Sequence, residues 1–350
     1  MKKVGINDLK RFTVRTLVAT GVSNKNAKTT AEVLVGTDEF GVLTHGTKNL
    51  CQYIEKMHAG GLDAKAEPTI VCEGPSYAII NGNKAIGMVS ACKAMNLAIK
   101  KAKKTGIAYV GVKNSCHFGA AGYYANMAAK EGMLGISVSN ADPIVTIPNA
   151  AKPSIGTNPL AFAAPLKNGR SLFLDCALSN VAALKVIMAK EKGAQIPDTW
   201  LVDEEGQPTK DASKFPTSAS LQPMGAHKGY GLAVLVEILA AVMTGAGILS
   251  EMKSWNLDMA APNNAGHAFI AVDVKKMMPY EEFIARMTQM ADELKSAKLA
   301  KNATKIYLPG EMEWDKKDIN EQNGYIEITD AMADSYMKLS EMTGVKIKIK

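Results

Sequence analysis

Four short polar stretches interrupt a largely apolar chain, and each carries groups able to move a proton or hold an anion. They are Thr44-His45-Gly46; Asn114 to Gly119, with His117, continuing past the next apolar run into Ser139-Asn140-Ala141-Asp142-Pro143; Gly156-Thr157-Asn158-Pro159, with Asp175 nearby; and His227-Lys228-Gly229-Tyr230-Gly231. An unperturbed imidazole titrates near 6.5, so His117 or His45 can give or take a proton near neutrality. Lys228 offers a point charge for a carboxylate or a phosphate. Asp175 suits a ribose hydroxyl or a helix cap, and His227 a pocket or a cap. The five histidines contain no H-x-x-x-H pair, so no metal site of that kind is expected. There is no P-loop and no G-x-S-x-G elbow. The nearest approach to a G-x-G-x-x-G turn, Gly245-Ala246-Gly247, closes a helix and lacks the third glycine.

The elements that must carry these groups follow from periodicity. Residues 7 to about 60 read as three helices: Leu9, Phe12 and Leu17 mark the first, Ser23 caps the second, and Leu50, Tyr53, Ile54 and Met57 mark the third. His45 falls in the GVLTHG link between the second and third. From about residue 68 the pattern alternates strand and helix, which indicates a layered α/β sheet rather than a bundle. TIVCEG and SYAIINGN read as paired strands, then IAYVGV, MLGISVSN, AFAAP, RSLFLDCA, HAFIAVDV and GYIEIT as further strands. Helices follow SYAIINGN (MVSACKAMNLAIKKAKKTG) and IAYVGV (AGYYANMAAKEG), and another spans GYGLAVLVEILAAVMTGAG, whose Met and Leu face over 232–243 is expected in the core. His117 thus sits where a strand ends and a helix begins, where free amides and a positive dipole end favour ligands. His58 and His267 read as surface or structural, and Cys116 as a small packing residue.

Bulk properties narrow the class. The 350 residues carry a net charge of +7 with 47% hydrophobic and 21% charged content, an ordinary globular composition. Its lysines are dispersed, whereas a nucleic-acid groove needs clustered charge, so no nucleic-acid partner is expected. Cys51, Cys72, Cys92, Cys116 and Cys176 form neither a disulfide framework nor a zinc knuckle, which fits reduced thiols in the cytoplasm. The N-terminal MKKVGINDLKRF lacks an apolar secretory core, and no run approaches a membrane span.

Together, NSCHFGAAGYY, SIGTNPLAFAAP and HKGYGLAVLVEILAAVMTGAG resemble the malate/L-lactate dehydrogenase family of the second type. The resemblance covers nearly the whole chain, from Thr44 through Leu308-Pro309-Gly310-Glu311. It implies a three-layer α/β/α fold around a mixed, about seven-stranded sheet that is not a Rossmann fold. A helical domain would come from both chain ends, 1–70 with about 300–350, leaving 71–300 as the cofactor-binding domain. It also implies a homodimer that moves hydride between NAD or NADP and a 2-hydroxy or 2-oxo acid. His117 matches the acid/base residue, with His45 beside it as a second catalytic candidate. Thr44, Asn49, Tyr53 and Lys228 map to the substrate pocket. Cofactor contacts map to Ala141, to Asp175-Cys176-Ala177, to His227 and Lys228, and to Gly310-Glu311-Met312. One departure bears on substrate: most relatives carry arginine four residues after the His45 position, where it grips a carboxylate with two parallel bonds, and this chain has Asn49 preceded by Lys48. A paralogue that binds nucleotide or acid without turnover is the alternative reading.

Overall fold

The order of strands in one sheet decides where the polar stretches end up. The computed structural model describes residues 2–350. In chain order its elements are β1 (Lys2–Gly5), α1 (Ile6–Ala19), α2 (Asn24–Glu39), α3 (Leu50–His58), β2 (Thr69–Glu73), β3 (Tyr77–Asn81), α4 (Gly87–Thr105), β4 (Ile107–Ser115), α5 (Ala121–Lys130), β5 (Met133–Ser139), β6 (Leu160–Pro165), β7 (Ser171–Cys176) and α6 (Ala183–Glu191). There follow β8 (Leu201–Asp203), β9 (Pro208–Thr209), β10 (Ala219–Leu221), α7 (His227–Glu237), β11 (Ala265–Asp273), α8 (Tyr280–Lys295), α9 (Glu311–Asn323), β12 (Tyr325–Ile328) and α10 (Asp330–Thr343).

Seven strands form the main sheet in the order β2-β3-β4-β11-β5-β6-β7. Only β3 and β4 run parallel, and every other neighbouring pair is antiparallel. The sheet is therefore mixed, as expected. Side chains alternate across it with the two-residue period of a strand. Ala108, Val110 and Val112 of β4, with Phe269 and Ala271 of β11, enter a core shared with α2, α4, α5 and the terminal helices. Tyr109 and Ala268 point the other way, into a second core beneath α7 and β8–β10. These two cores are the outer layers' attachment to the sheet.

The chain ends meet. β1 pairs antiparallel with β12, the Lys3 amide donates to the Lys350 carbonyl, and α1 packs on α2 and α10. Sequence periodicity left β1, α6, α9 and the small β10-β8-β9 sheet unread; the strands among them, of two to four residues, are too short to show a period.

The expectation for the helix over 232–243 needs correcting twice. It is α-helical only through Glu237 and continues as a π turn over Ile238–Val242. Its inner face, Ala233, Val236, Ala240 and Ala241, is buried, but Leu232, Leu235, Ile238, Val242 and Met243 are exposed. A helix that is apolar all round has only one face for the sheet, so the other is left open on the single chain.

Candidate active site

Register gathers the polar stretches at one end of the sheet. Ser115, the last residue of β4, lies opposite Ala265, the first of β11; Ser139 at the end of β5 pairs with His267; Leu160 at the start of β6 pairs with Val138 and with Cys176 at the end of β7. The segments leaving β4, β5 and β7 therefore emerge along one edge, carrying His117, Ala141-Asp142 and Asp175-Cys176-Ala177. The link between α2 and α3 closes over that edge with Thr44 and His45. All of these residues line one cleft of about 260 Å³.

His117 is partly exposed and lines this cleft. Its Nδ1 lies 2.5 Å from the Tyr53 hydroxyl. Tyr53 is wholly buried, and burial lifts its phenol well above the usual range, so it stays protonated. Either atom of this pair can donate; with Nδ1–H donating to the phenol oxygen, the neutral ring presents an unprotonated Nε2 to the cleft. Burial, then His45 and His267, hold the His117 imidazole well below 6.5. The His45 ring stacks 5.7 Å from it, and the Thr44 hydroxyl lies 2.8 Å from His45 Nδ1. The cleft walls, then Lys48, draw His45 down too, although its ring is open to solvent and screened there.

The other wall is held by a buried amide–carboxylate network. Asn158 Oδ1 accepts the Ala141 N–H at 3.0 Å, and its Nδ2 donates to Glu237 at 2.8 Å. Asn140 Nδ2 donates to the same carboxylate at 3.2 Å. The Gly-Thr-Asn-Pro stretch thus serves Ala141 and Asp142 through Asn158. Burial raises the Asp142 carboxyl.

A second, smaller chamber continues from the cleft and shares Val42, Ala120 and Asp175 with it. Gly310 lines this chamber, as does Glu313. Asp175 accepts the Gly122 N–H of α5 at 2.7 Å and is open to solvent at the junction; the protein around it still pushes its carboxyl up to about 6. No lysine or arginine lines either chamber.

Six of the expected site residues lie outside the lining of both chambers. Tyr53 stands behind His117, outside the lining. Asn49 is buried, and its Nδ2 donates to the Thr44 carbonyl at 2.9 Å, bracing the His45 loop. His227 and Lys228 are exposed at the start of α7 and line neither chamber. Glu311 is engaged by Lys295, Lys305 and the Leu308 N–H. Met312 is 61% exposed beside it. His267 is structural, held between the hydroxyls of Ser115 and Ser139 at 2.9 Å each.

Sequence reading missed Trp255, Met252, Asn263 and Glu313 in the lining, and Asp38, Lys56 and Glu237 behind it. Trp255 lies in a loop without periodicity. Lys56 was findable: three residues after Tyr53, it is a lysine on the apolar face of a helix.

The sequence profile of the malate/L-lactate dehydrogenase family matches residues 4–336. The chain belongs to this family. A malate dehydrogenase of Pyrococcus abyssi is 36% identical over 347 residues, covering 97% of this chain and 94% of that one. The ureidoglycolate dehydrogenase (NAD(+)) of Escherichia coli K12 is 33% identical and covers 96% and 95%. Among solved structures, the sulfolactate dehydrogenase of Methanocaldococcus jannaschii superposes with a TM-score of 0.91 at 33% identity, covering 99% and 98%. The malate/L-lactate dehydrogenase fold is therefore shared over essentially the full length, including the mixed sheet and the helical segments at both ends.

Proposed function

We propose that this protein transfers hydride between a nicotinamide dinucleotide and C2 of a small 2-hydroxy or 2-oxo acid, with His117 as acid/base. The observation carrying this reading is His117 itself: a partly exposed imidazole lining the cleft, with Nδ1 engaged by Tyr53 and Nε2 left to the ligand. The relatives are named for malate, sulfolactate and ureidoglycolate, all 2-hydroxy acids.

The two joined chambers suit an elongated ligand, and the donor set suits a dinucleotide: a carboxylate for hydroxyls at Asp175, backbone at the first turn of α5, and an apolar wall of Val42, Ala120 and Phe173. Asp175, Cys176, Ala177 and Ala141 would hold it in the first chamber, and Gly310 with Glu313 in the second. When bound, the nicotinamide supplies or accepts the hydride. In oxidation His117 takes the proton of the 2-hydroxyl; in reduction its imidazolium returns a proton to the 2-oxo oxygen. The base form is the tautomer with Nδ1–H donating to the Tyr53 oxygen, so that Nε2 holds the lone pair that takes the proton and Tyr53 accepts from Nδ1–H in both charge states. The terminal segments (1–70 and 300–350) then carry the His45 side of the cleft and, through Gly310 and Glu313, part of the second chamber, while 71–300 carries the remaining dinucleotide contacts.

A panel of malate, sulfolactate, ureidoglycolate and lactate, run with NAD and NADP, tests the reading. Because Asp175 and Glu313 face the second chamber without a cation, NADH should bind about tenfold or more tighter than NADPH, read by titrating the nicotinamide fluorescence. Equal dissociation constants would count against Asp175 as the ribose contact. The binding-only alternative draws on Asn49 and the cation-free lining; turnover of any member of the panel eliminates it.

The exposed face of α7 and its π turn supports a homodimer in the cytoplasm. Leu232, Leu235, Ile238 and Val242 form a contiguous apolar stripe of the kind monomers rarely leave open. The five unpaired cysteines fit a reducing compartment. Light scattering after gel filtration should give twice the 37.3 kDa chain mass, falling to one chain in Leu235→Glu/Val242→Glu. A wild-type monomer overturns this assembly.

A further inference from the structure

The loop between α7's extension and β11 closes on itself before it meets the cleft. Ser254 N–H donates to Asp258 Oδ2 at 3.0 Å, Asp258 N–H to the Ser254 carbonyl at 3.2 Å, and Asn263 Nδ2 to the Lys253 carbonyl. Met252, Trp255 and Asn263 of this strap line the cleft. Trp255 lies face-on over His117, with ring centroids 4.3 Å apart and planes 15° apart, and 5.5 Å from the Tyr53 ring. It covers a face of the imidazole at stacking distance.

The strap is seated by one buried cation. Lys56 has no exposed surface, yet no carboxylate lies within ion-pair distance of it among the described residues. Its Nζ donates instead to two strap carbonyls, Asp258 at 2.7 Å and Ala261 at 2.9 Å. At the end of α3 the strap presses on Gly61, where a Cβ would come within 2.2 Å of the Met259 carbonyl. Burying an ammonium is costly, and burial lowers its proton affinity here. A fold that needed only packing at this point would be served by an apolar side chain.

We infer that Lys56 is a positioning residue that holds the 252–263 strap so that Trp255 covers one face of His117. It acts through Trp255 on a ring that α3 also holds, since Tyr53 and Lys56 occupy successive turns of the same helix face. Covering the ring excludes water from it and leaves Nε2 as its open nitrogen. The groups around the imidazole are His45, Tyr53, Trp255 and, behind it, Cys116 and His267. The inference rests on the His117 reading above, but part of its test does not.

Acrylamide quenching isolates Trp255 as the difference between wild type and Trp255→Phe, with Trp200 and Trp314 common to both. Lys56→Met should raise the Trp255 quenching constant severalfold, whether or not a substrate has been found. In turnover, Lys56→Met and Trp255→Ala should each lower kcat about tenfold, leave NADH affinity within twofold, and move the acid limb of the oxidation profile toward 6.5. Trp255→Phe retains a ring and should recover most of the rate. Because one residue acts through the other, Lys56→Met/Trp255→Ala should be no slower than the worse single variant. Multiplying losses, or unchanged quenching in Lys56→Met, overturns the inference. If Lys56→Met does not fold, Lys56→Arg, which can still donate to both carbonyls, should keep quenching and rate near wild type; raised quenching there overturns it equally.

Discussion

His117→Ala should lower kcat/KM by about 10²–10⁴-fold, the usual share of a general acid–base group, while NADH affinity should stay within a few-fold. The split follows from position. His117 Nδ1 is engaged by Tyr53 behind the cleft, Nε2 is left to the ligand, and the dinucleotide contacts proposed above fall on other lining residues, Ala141 and Asp175–Ala177. The pH profile carries the sign. Burial and two neighbouring histidines depress the His117 pKa below 6.5, so the ring is neutral at pH 7. Oxidation needs that neutral ring; its kcat/KM therefore holds its plateau as pH falls through 6.5 and declines only below. Reduction needs the imidazolium and gains as pH falls over the same range. Near-normal turnover in His117→Ala removes the mechanism, and an oxidation limb at or above 6.5 removes the burial argument.

How legible this site was depended on whether a residue's role is local. His117 and Asp175 sit at strand ends, and strand ends can be found from period and punctuation; register then gathers them, as the pairings Ser115–Ala265 and Leu160–Cys176 show. The seven-stranded mixed sheet was legible for the same reason, since six of its strands are five or more residues of clear apolar pattern flanked by turns, β2 being the exposed exception. What escaped were partners set by tertiary closeness alone. Glu237 looks like a stray charge in an apolar helix until it receives Asn140 and Asn158. Asn49 looks like a lost carboxylate grip and is a loop brace. Tyr53 was expected to face substrate and faces His117 from behind. The apolar stripe of α7 was read as core because sequence gives hydrophobicity without saying which face the sheet covers.

Gly46→Ala should be a strongly damaging single-methyl change beside the site. A Cβ there would stand 1.9 Å from Asp38 Oδ1 and 2.4 Å from Asp38 Cγ. The carboxyl cannot retreat. It is fully buried, Oδ2 accepts the Thr47 N–H at 3.0 Å and the Thr47 hydroxyl, and that hydroxyl continues to Tyr336 of α10 at 2.5 Å. The alanine must therefore push the turn outward, taking Thr44 and His45 with it, at a cost of about 3 kcal/mol or more in urea unfolding, together with most of the activity. Asp38→Ala opens the space, so Gly46→Ala should cost only about 1 kcal/mol in that background; equal costs in both backgrounds would refute the clash. The same carboxyl sets a pH signature. Burial raises Asp38 to about 7 from the ordinary 3.8, so the folded state keeps a proton that the unfolded chain has released. That contribution is complete below about pH 4 and is lost as pH rises through 7. Wild type should therefore lose stability across this window relative to Asp38→Asn, which holds no titrating group there. Parallel stability curves for the two proteins between pH 4 and 8 would show that Asp38 is ionised in the fold.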